Sequence, residues 1–292
     1  MSVRTEMKGP VLVVTLDRPR VHNALDTAAA GVLKELFERI SFLPPPPPDP
    51  RTESGPCRPR AIVLRSEGPT FCAGADLNEM QALGAAGFEE NLAAARTLGL
   101  MFRAVRLCPV PVVARVQGAA YGGGVGLLAA CDVVVVAAEA RFAFTEARLG
   151  LVAGVIAPLV LARIGEAAAR HYFLTGDPIH MPTALRLGLV DRVVDAADLD
   201  EAVARVVRSL LAGGPSAHAR IKQLLEGLGS LGFEGSLDFT ARALAEARTG
   251  PEGQAALAAF LRREPAPWAG DTTWPEPPAP AEPAAPARTE GS

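Results

Sequence analysis

Apolar positions along this chain follow two rhythms, and the order in which the rhythms alternate predicts the architecture. Residues 11–16 (VLVVTL), 61–65 (AIVLR), 110–116 (VPVVARV) and 133–138 (VVVVAA) are short, nearly unbroken apolar runs rich in valine, the pattern of strands buried on both faces. Between them the period changes to that of a helix. Asp26 is placed to cap a helix whose Ala29, Leu33, Leu36, Phe37 and Ile40 share one face, with Lys34, Glu35, Glu38 and Arg39 on the wet side. Residues 89–107 form a long helix with Leu92, Ala95, Leu98, Phe102 and Val105 inward. Beyond residue 151 the pattern is helical at 157–164, 166–174 and 182–187, followed by a short strand at 189–194. Four amphipathic helices then follow at 201–211, 216–228, 233–247 and 252–262. Alternating strands and helices followed by a run of helices predict an α/β fold: a parallel-sheet core with a C-terminal helical appendage.

Two tracts break this pattern, each with eight prolines: residues 44–59, and the stretch after Glu264 that runs to Ser292. The first reads as an exposed extended insertion between a helix and a strand, the second as a disordered tail. The expected division is therefore a core over 1–195 carrying the insertion at 44–59, a helical region over 196–264, and a tail over 265–292.

Charge narrows the partners. Lysine and arginine total 29 against 32 acidic residues, for a net charge of −3, and no basic run is present, which argues against nucleic acid. The N-terminus lacks the pattern of a signal peptide, and the longest clean apolar run, 149–162, is too short to span a bilayer, so no membrane association and a cytoplasmic location are expected. Cys57, Cys72, Cys108 and Cys131 form no CxxC, and His22, His171, His180 and His218 are scattered singly. Reduced thiols and no metal site follow. A hydrophobic fraction of 49% points to self-association.

Candidate chemistry concentrates in residues 110–151. Gly122, Gly123, Gly124 and Gly126 open a short apolar helix, where freed amides favour negative charge. Glu146 follows about one strand later, and a strand would return it to the same end. Spacing alone also fits a plainer arrangement, in which the glycines permit tight helix packing and Glu146 is solvated. In the segment 68–80 (GPTFCAGADLNEM) a strand is expected to run through a small-residue turn into a helix capped by Asp76.

Five motifs, DRPxxxNAL at 17–25, FCAGAD at 71–76, GGGVGLLAACD at 122–132, TEARLGL at 145–151 and GLVDRVV at 188–194, resemble in order and spacing those of the enoyl-CoA hydratase/isomerase, or crotonase, family. The resemblance covers about 11–267. It implies a spiral of ββα turns that binds an acyl-CoA thioester as substrate, with no separate cofactor, and assembles as a homotrimer or dimer of trimers. By this resemblance the thioester oxygen is held by the backbone amides of Ala73 and Gly123, and Glu146 is the acid/base. CoA is held by the loop 18–25, including Arg18, Arg20 and Ala24, and by Ala73, Gly74, Ala75, Asp76 and Leu77, with Gly122, Gly123 and Gly126 lining the acyl site.

At one position the chain departs from the family pattern: Gly126 stands where hydratases of the family commonly have a first glutamate. The departure implies a hydratase or dehydratase working with Glu146 alone, with a pocket enlarged at Gly126 for a short, branched or carboxylated 2-enoyl group. The GGGVG and TEARLGL combination is similar to the methylglutaconyl-CoA hydratase branch. An enoyl-CoA isomerase or acyl-CoA decarboxylase, and a non-catalytic acyl-CoA binding or scaffold protein, are the alternatives.

Overall fold

The computed structural model describes residues 2–47, 55–229, 231–269 and 274. Six strands, β1 (Val3–Lys8), β2 (Val11–Leu16), β3 (Ala61–Ser66), β4 (Val112–Val116), β6 (Val133–Ala137) and β8 (Arg192–Val194), make one sheet in the order β1-β2-β3-β4-β6-β8. Only the β1–β2 pair is antiparallel. The sequence pattern gave no sign of β1: it is an edge strand with four consecutive exposed residues, so burial leaves almost no imprint on its composition.

The central strands alternate across two apolar layers, which is why they read as unbroken apolar runs. Leu12, Val14, Ile62, Leu64, Val112, Ala114, Val134 and Val136 face the larger core beneath α1 (Thr27–Phe42), α3 (Phe88–Leu107), α4 (Gly123–Ala130) and α5 (Ala157–Thr175). Val11, Val63, Val113 and Val135 face α7 (Leu199–Leu211), whose Leu199, Val203, Val206 and Val207 close that side. Asp26 caps α1 as its position predicts, accepting from Ala29 N at 2.6 Å. The two helices expected at 157–164 and 166–174 meet end to end at Gly165, where φ 76° and ψ 162° interrupt α5.

A second set of pairings links short extended pieces outside the main sheet. β5 (Ala120–Tyr121) runs parallel to β7 (Phe142–Ala143), and single bridges join Leu25 to Ala75, Cys72 to Ala120 and Phe142 to Ile179. Each successive βα turn thus delivers one short extended piece to the same place. The strand expected within 68–76 is one of these pieces, reduced to bridge pairings before α2 (Leu77–Gly84) begins.

After α6 (Met181–Arg186) and β8 come α7, α8 (Pro215–Leu228), α9 (Phe233–Thr249) and α10 (Pro251–Leu261), the last helices among the described residues. Large apolar residues of α9 and α10, among them Leu237, Leu244, Phe260 and Leu261, stay exposed. Glu252 of α10 reaches the start of α8, accepting from Ser216 N and Ala217 N at 2.8 Å each. No described helix is long and apolar enough to cross a membrane.

Most of the proline tail lies outside the described residues, but its beginning is docked. Trp268 is buried, its Nε1 donating to Ala212 O at 3.0 Å, while the buried Arg60 donates to the carbonyl oxygens of Trp268 and Leu211. Residues 48–54 of the insertion also lie outside the described residues. Its flanks are tied to α1, with Arg58 donating to Pro44 O and Ser41 O.

Candidate active site

The site is built where the loop 18–25 meets the loop 67–76. Asn23 holds the two together: its Oδ1 accepts from Arg18 N at 2.9 Å, and its Nδ2 donates to Glu67 O and Thr70 O at 2.8 Å each. His22 and Asn23 both take left-handed φ, 53° and 55°, a conformation asparagine tolerates better than most residues. That turn aims residues 22–25 along 73–76, with Ala73 N donating to His22 O (3.0 Å), Leu25 N to Gly74 O (2.7 Å) and Asp76 N to Leu25 O (2.9 Å).

This ladder corrects the expected pair of donors. The Ala73 amide is engaged by His22 O, so it cannot also hold a substrate oxygen. Alternate amides in an extended segment point to opposite sides. The amide on the open side of this ladder is that of Ala75, which has no hydrogen-bond acceptor among the described residues.

Gly123 opens α4, so its amide belongs to the first turn, whose N–H groups lack intrahelical acceptors; the first backbone bond there is Gly126 N to Gly122 O at 3.1 Å. The two loops touch: a methyl group on Gly74 would lie 2.9 Å from Tyr121 O and 3.5 Å from Gly123 N. The glycines differ in what they allow for. Gly122 has φ 46° and abuts the carboxylate, since a methyl there would lie 2.8 Å from Glu146 Oε1; a methyl on Gly124 would overlap Cys72 O.

Glu146 is returned to this point by β7, through the pairing Tyr121–Ala143 and the bond Gly122 N to Ala143 O at 3.0 Å. It begins a short 3-10 turn, Glu146–Leu149. Its Oε2 is buried without a hydrogen-bond partner, and burial raises its pKa above the ordinary glutamate value, its own backbone N–H opposing only in part. Glu146 lines a cavity of about 300 Å³ together with Ala73, Gly74, Ala75, Leu77, Gly122 and Gly123. Desolvated carboxylate, two unpaired amides and apolar walls meet in one place, which is what proton transfer next to a polarised carbonyl requires.

The remaining expected site residues stand elsewhere. Arg18 is held between Asp26 (2.8 Å) and Asp76 (2.9 Å) and also donates to Ala24 O, so its charge is balanced within the protein. Asp76 is buried, caps α2 through Asn78 N at 3.0 Å, and is absent from the cavity wall, as is the buried Ala24. Burial pushes the Asp76 carboxyl upward, but the amides of Asn78 and Glu79 and the Arg18 guanidinium outweigh it and hold the pKa below the usual value. Arg20 is exposed on the 3-10 turn Pro19–Val21 and does not line the cavity.

Gly126 corrects a further expectation. It does not enlarge the pocket: it is buried, and a methyl on it would overlap Ile156 Cγ2 and lie 3.4 Å from Phe102 Cζ. The space that a side chain at 126 would take is filled by isoleucine.

Leu25, at the end of the expected loop 18–25, lines the wall, whereas Met80, Val152 and Ile156, and also Leu98 and Phe102 of α3, were not recognised as wall residues in the sequence. The last two belong to the apolar stripe expected to face the core. A stripe facing a cavity has the same period as one facing a core, so only their placement distinguishes them. Among the described residues no group of His, Cys, Asp or Glu is arranged to hold a metal ion.

Comparison with known proteins agrees with the geometry. A family model described as enoyl-CoA hydratase/isomerase matches residues 6–271. The short-chain-enoyl-CoA hydratase of Clostridium acetobutylicum is 29% identical, over 90% of this chain and 95% of that one. Among solved structures, an enoyl-CoA hydratase from Shewanella pealeana superposes with a TM-score of 0.83 at 32% identity, covering 92% of this chain and 96% of that one. Pseudomonas aeruginosa AtuE does so with a TM-score of 0.84 at 34% identity, over 92% and 100%. The branch-level likeness to methylglutaconyl-CoA hydratases gains nothing from these relatives. The crotonase fold, the five motifs in order and the match along nearly the whole chain make this protein a member of the enoyl-CoA hydratase/isomerase family.

Proposed function

We propose that this protein adds water to a 2-enoyl-CoA thioester, or removes it in the reverse direction, with Glu146 as the one acid/base. The observation that carries the reading is the buried, unpartnered Glu146 Oε2 beside the unpaired amides of Ala75 and Gly123. The thioester oxygen accepts from those two amides, which stabilise an enolate more than the neutral ester, each being worth about 10² to 10³ in rate. Glu146 takes a proton from water as the water oxygen bonds to Cβ; the double-bond electrons move through Cα onto the carbonyl oxygen. The protonated Glu146 then returns that proton to Cα as the enolate collapses. One carboxylate suffices because both transfers occur on the same face.

An isomerase is the second reading, and a specific observation favours it. Ile156 and Phe102, which cannot hold a water, occupy the space over Gly126, and moving a double bond needs only a proton shuttle. Mass-resolved product analysis with crotonyl-CoA, a 3-enoyl-CoA and 3-methylglutaconyl-CoA separates the readings. Gain of one water on crotonyl-CoA is the expected result. A mass-neutral shift of the 3-enoyl ester with crotonyl-CoA unchanged would establish isomerisation, loss of CO2 from a carboxylated ester a decarboxylase, and no turnover a binding protein.

Assembly into trimers or dimers of trimers belongs to the same proposal, supported by the exposed Leu237, Leu244, Phe260 and Leu261 of α9 and α10. Light scattering on the purified protein reads it directly, and a monomeric mass would overturn it.

A further inference from the structure

One β-branched side chain of the cavity wall, Ile156, is packed against the glycine helix. Gly126 lies one turn into α4 from Gly123 and is buried behind the cavity wall, whose lining includes Gly123, Glu146, Phe102 and Ile156. Over Gly126 sits Ile156, 2% exposed, with its Cγ2 and Cβ in the space a side chain at 126 would take and the Phe102 ring beside it. Two features keep Ile156 in place. Its carbonyl accepts from Leu159 N (3.1 Å) and Val160 N (3.0 Å), so α5 anchors its backbone. Its β-branched side chain has little rotamer freedom.

The charge along the wall points the same way. Ionisable groups lining the cavity are Glu79 and Glu146, with no lysine or arginine among the lining residues. Both Glu79 oxygens accept from Thr27 N, at 2.9 Å each. A second carboxylate on the acyl group would therefore meet negative charge and apolar surface, with no cation to receive it.

We propose that Ile156, packed on Gly126, determines acyl specificity: it excludes branching next to the reacting carbons and, with the cation-free wall, restricts the site to unbranched, uncharged acyl chains. This inference rests on the acyl-CoA reading of the site, but its shape requirement applies to binding as well as to turnover.

The test measures both. Dissociation constants for butyryl-CoA and 3-methylbutyryl-CoA by calorimetry report shape without chemistry, and kcat/KM for crotonyl-CoA against 3-methylcrotonyl-CoA and 3-methylglutaconyl-CoA reports the reaction. Wild type is expected to favour the unbranched member of each pair by about tenfold or more, the scale set by one methyl group in a tight pocket. Ile156→Ala should narrow that ratio by about tenfold, with Ile156→Val intermediate. Gly126→Ala should weaken binding of both esters by displacing Ile156, and Ile156→Ala in the same chain should recover much of it.

Equal wild-type affinity for the two saturated esters, an unchanged ratio in Ile156→Ala and Ile156→Val, or strictly additive effects of the two substitutions would each overturn the proposal. A binding preference that responds to Ile156 without turnover of any enoyl ester would uphold it while removing the hydratase reading. Circular dichroism of each variant identifies any that fails to fold, and the Ile156→Val measurement then decides.

Discussion

Replacing Glu146 by Gln is expected to lower kcat by about 10²- to 10⁴-fold, the range for loss of a general acid/base, with little change in the affinity for a CoA thioester. The amide has nearly the same shape as the carboxylate and leaves the Ala75 and Gly123 amides and the apolar walls in place, so binding survives while the proton acceptor is gone. The pH dependence follows from burial. Glu146 must be ionised to accept a proton, and burial raises its pKa. The acidic limb of kcat/KM should therefore lie at higher pH than a solvated glutamate would give, and should vanish from the residual activity of Glu146→Gln.

Stability has the opposite sign. Between the unfolded and the raised folded pKa the native state binds more proton than the unfolded chain, so this residue's contribution to stability falls as pH rises through that window. At neutral pH the substitution removes a buried charge, which costs more to desolvate than a neutral amide. Thermal unfolding should show Glu146→Gln at least as stable as wild type there, which separates lost chemistry from lost fold. Turnover of crotonyl-CoA at the wild-type rate by a folded Glu146→Gln protein would remove Glu146 from the mechanism.

How much of this was legible beforehand depended on the range of the interaction involved. Val11 to Leu16, the Asp26 cap and the 61–65 strand were readable because burial and capping act over a few neighbouring residues. The return of Glu146 to Gly122 was readable as an arrangement the strand expected at 133–138 allows, but spacing cannot say that Gly122 takes positive φ and that a carboxylate lies against it. Which amide of FCAGAD is open was not readable at all: it is decided by the ladder with 22–25, some fifty residues away, which engages Ala73 N and spares Ala75 N. Gly126 reads as empty space in one dimension, because nothing in the sequence says that Ile156 fills it. Arg18 misleads for a similar reason. An arginine in a loop expected to hold CoA suggests an anion ligand until two carboxylates are found on either side of it.

Arg18→Ala should consequently act first on stability, by about 3 kcal/mol at neutral pH, the low end of the range for breaking a buried ion pair because Arg18 and Asp26 retain some solvent contact. The loss has a definite structural origin: without the guanidinium, Asp26 and the buried Asp76 confront each other with no cation between them, and Ala24 O loses a donor. The pH dependence has the sign of a carboxylate held below its usual pKa. The stabilisation is fully present above the unfolded pKa and is lost as pH falls through the folded one, so the gap between wild type and Arg18→Ala should be widest near neutrality and close in acid. Lysine at 18 keeps the charge but not the planar fork that spans both carboxylates, so it should recover only part of the difference. Urea unfolding at neutral and acid pH measures all three proteins. Because Asp76 caps α2 and its amide closes the 22–25 ladder, the folded fraction of Arg18→Ala should also lose kcat through a displaced Ala75 amide. If Arg18→Ala instead unfolds at the wild-type urea midpoint and only its KM for CoA esters rises, the arginine serves the nucleotide and the two carboxylates merely neighbour it.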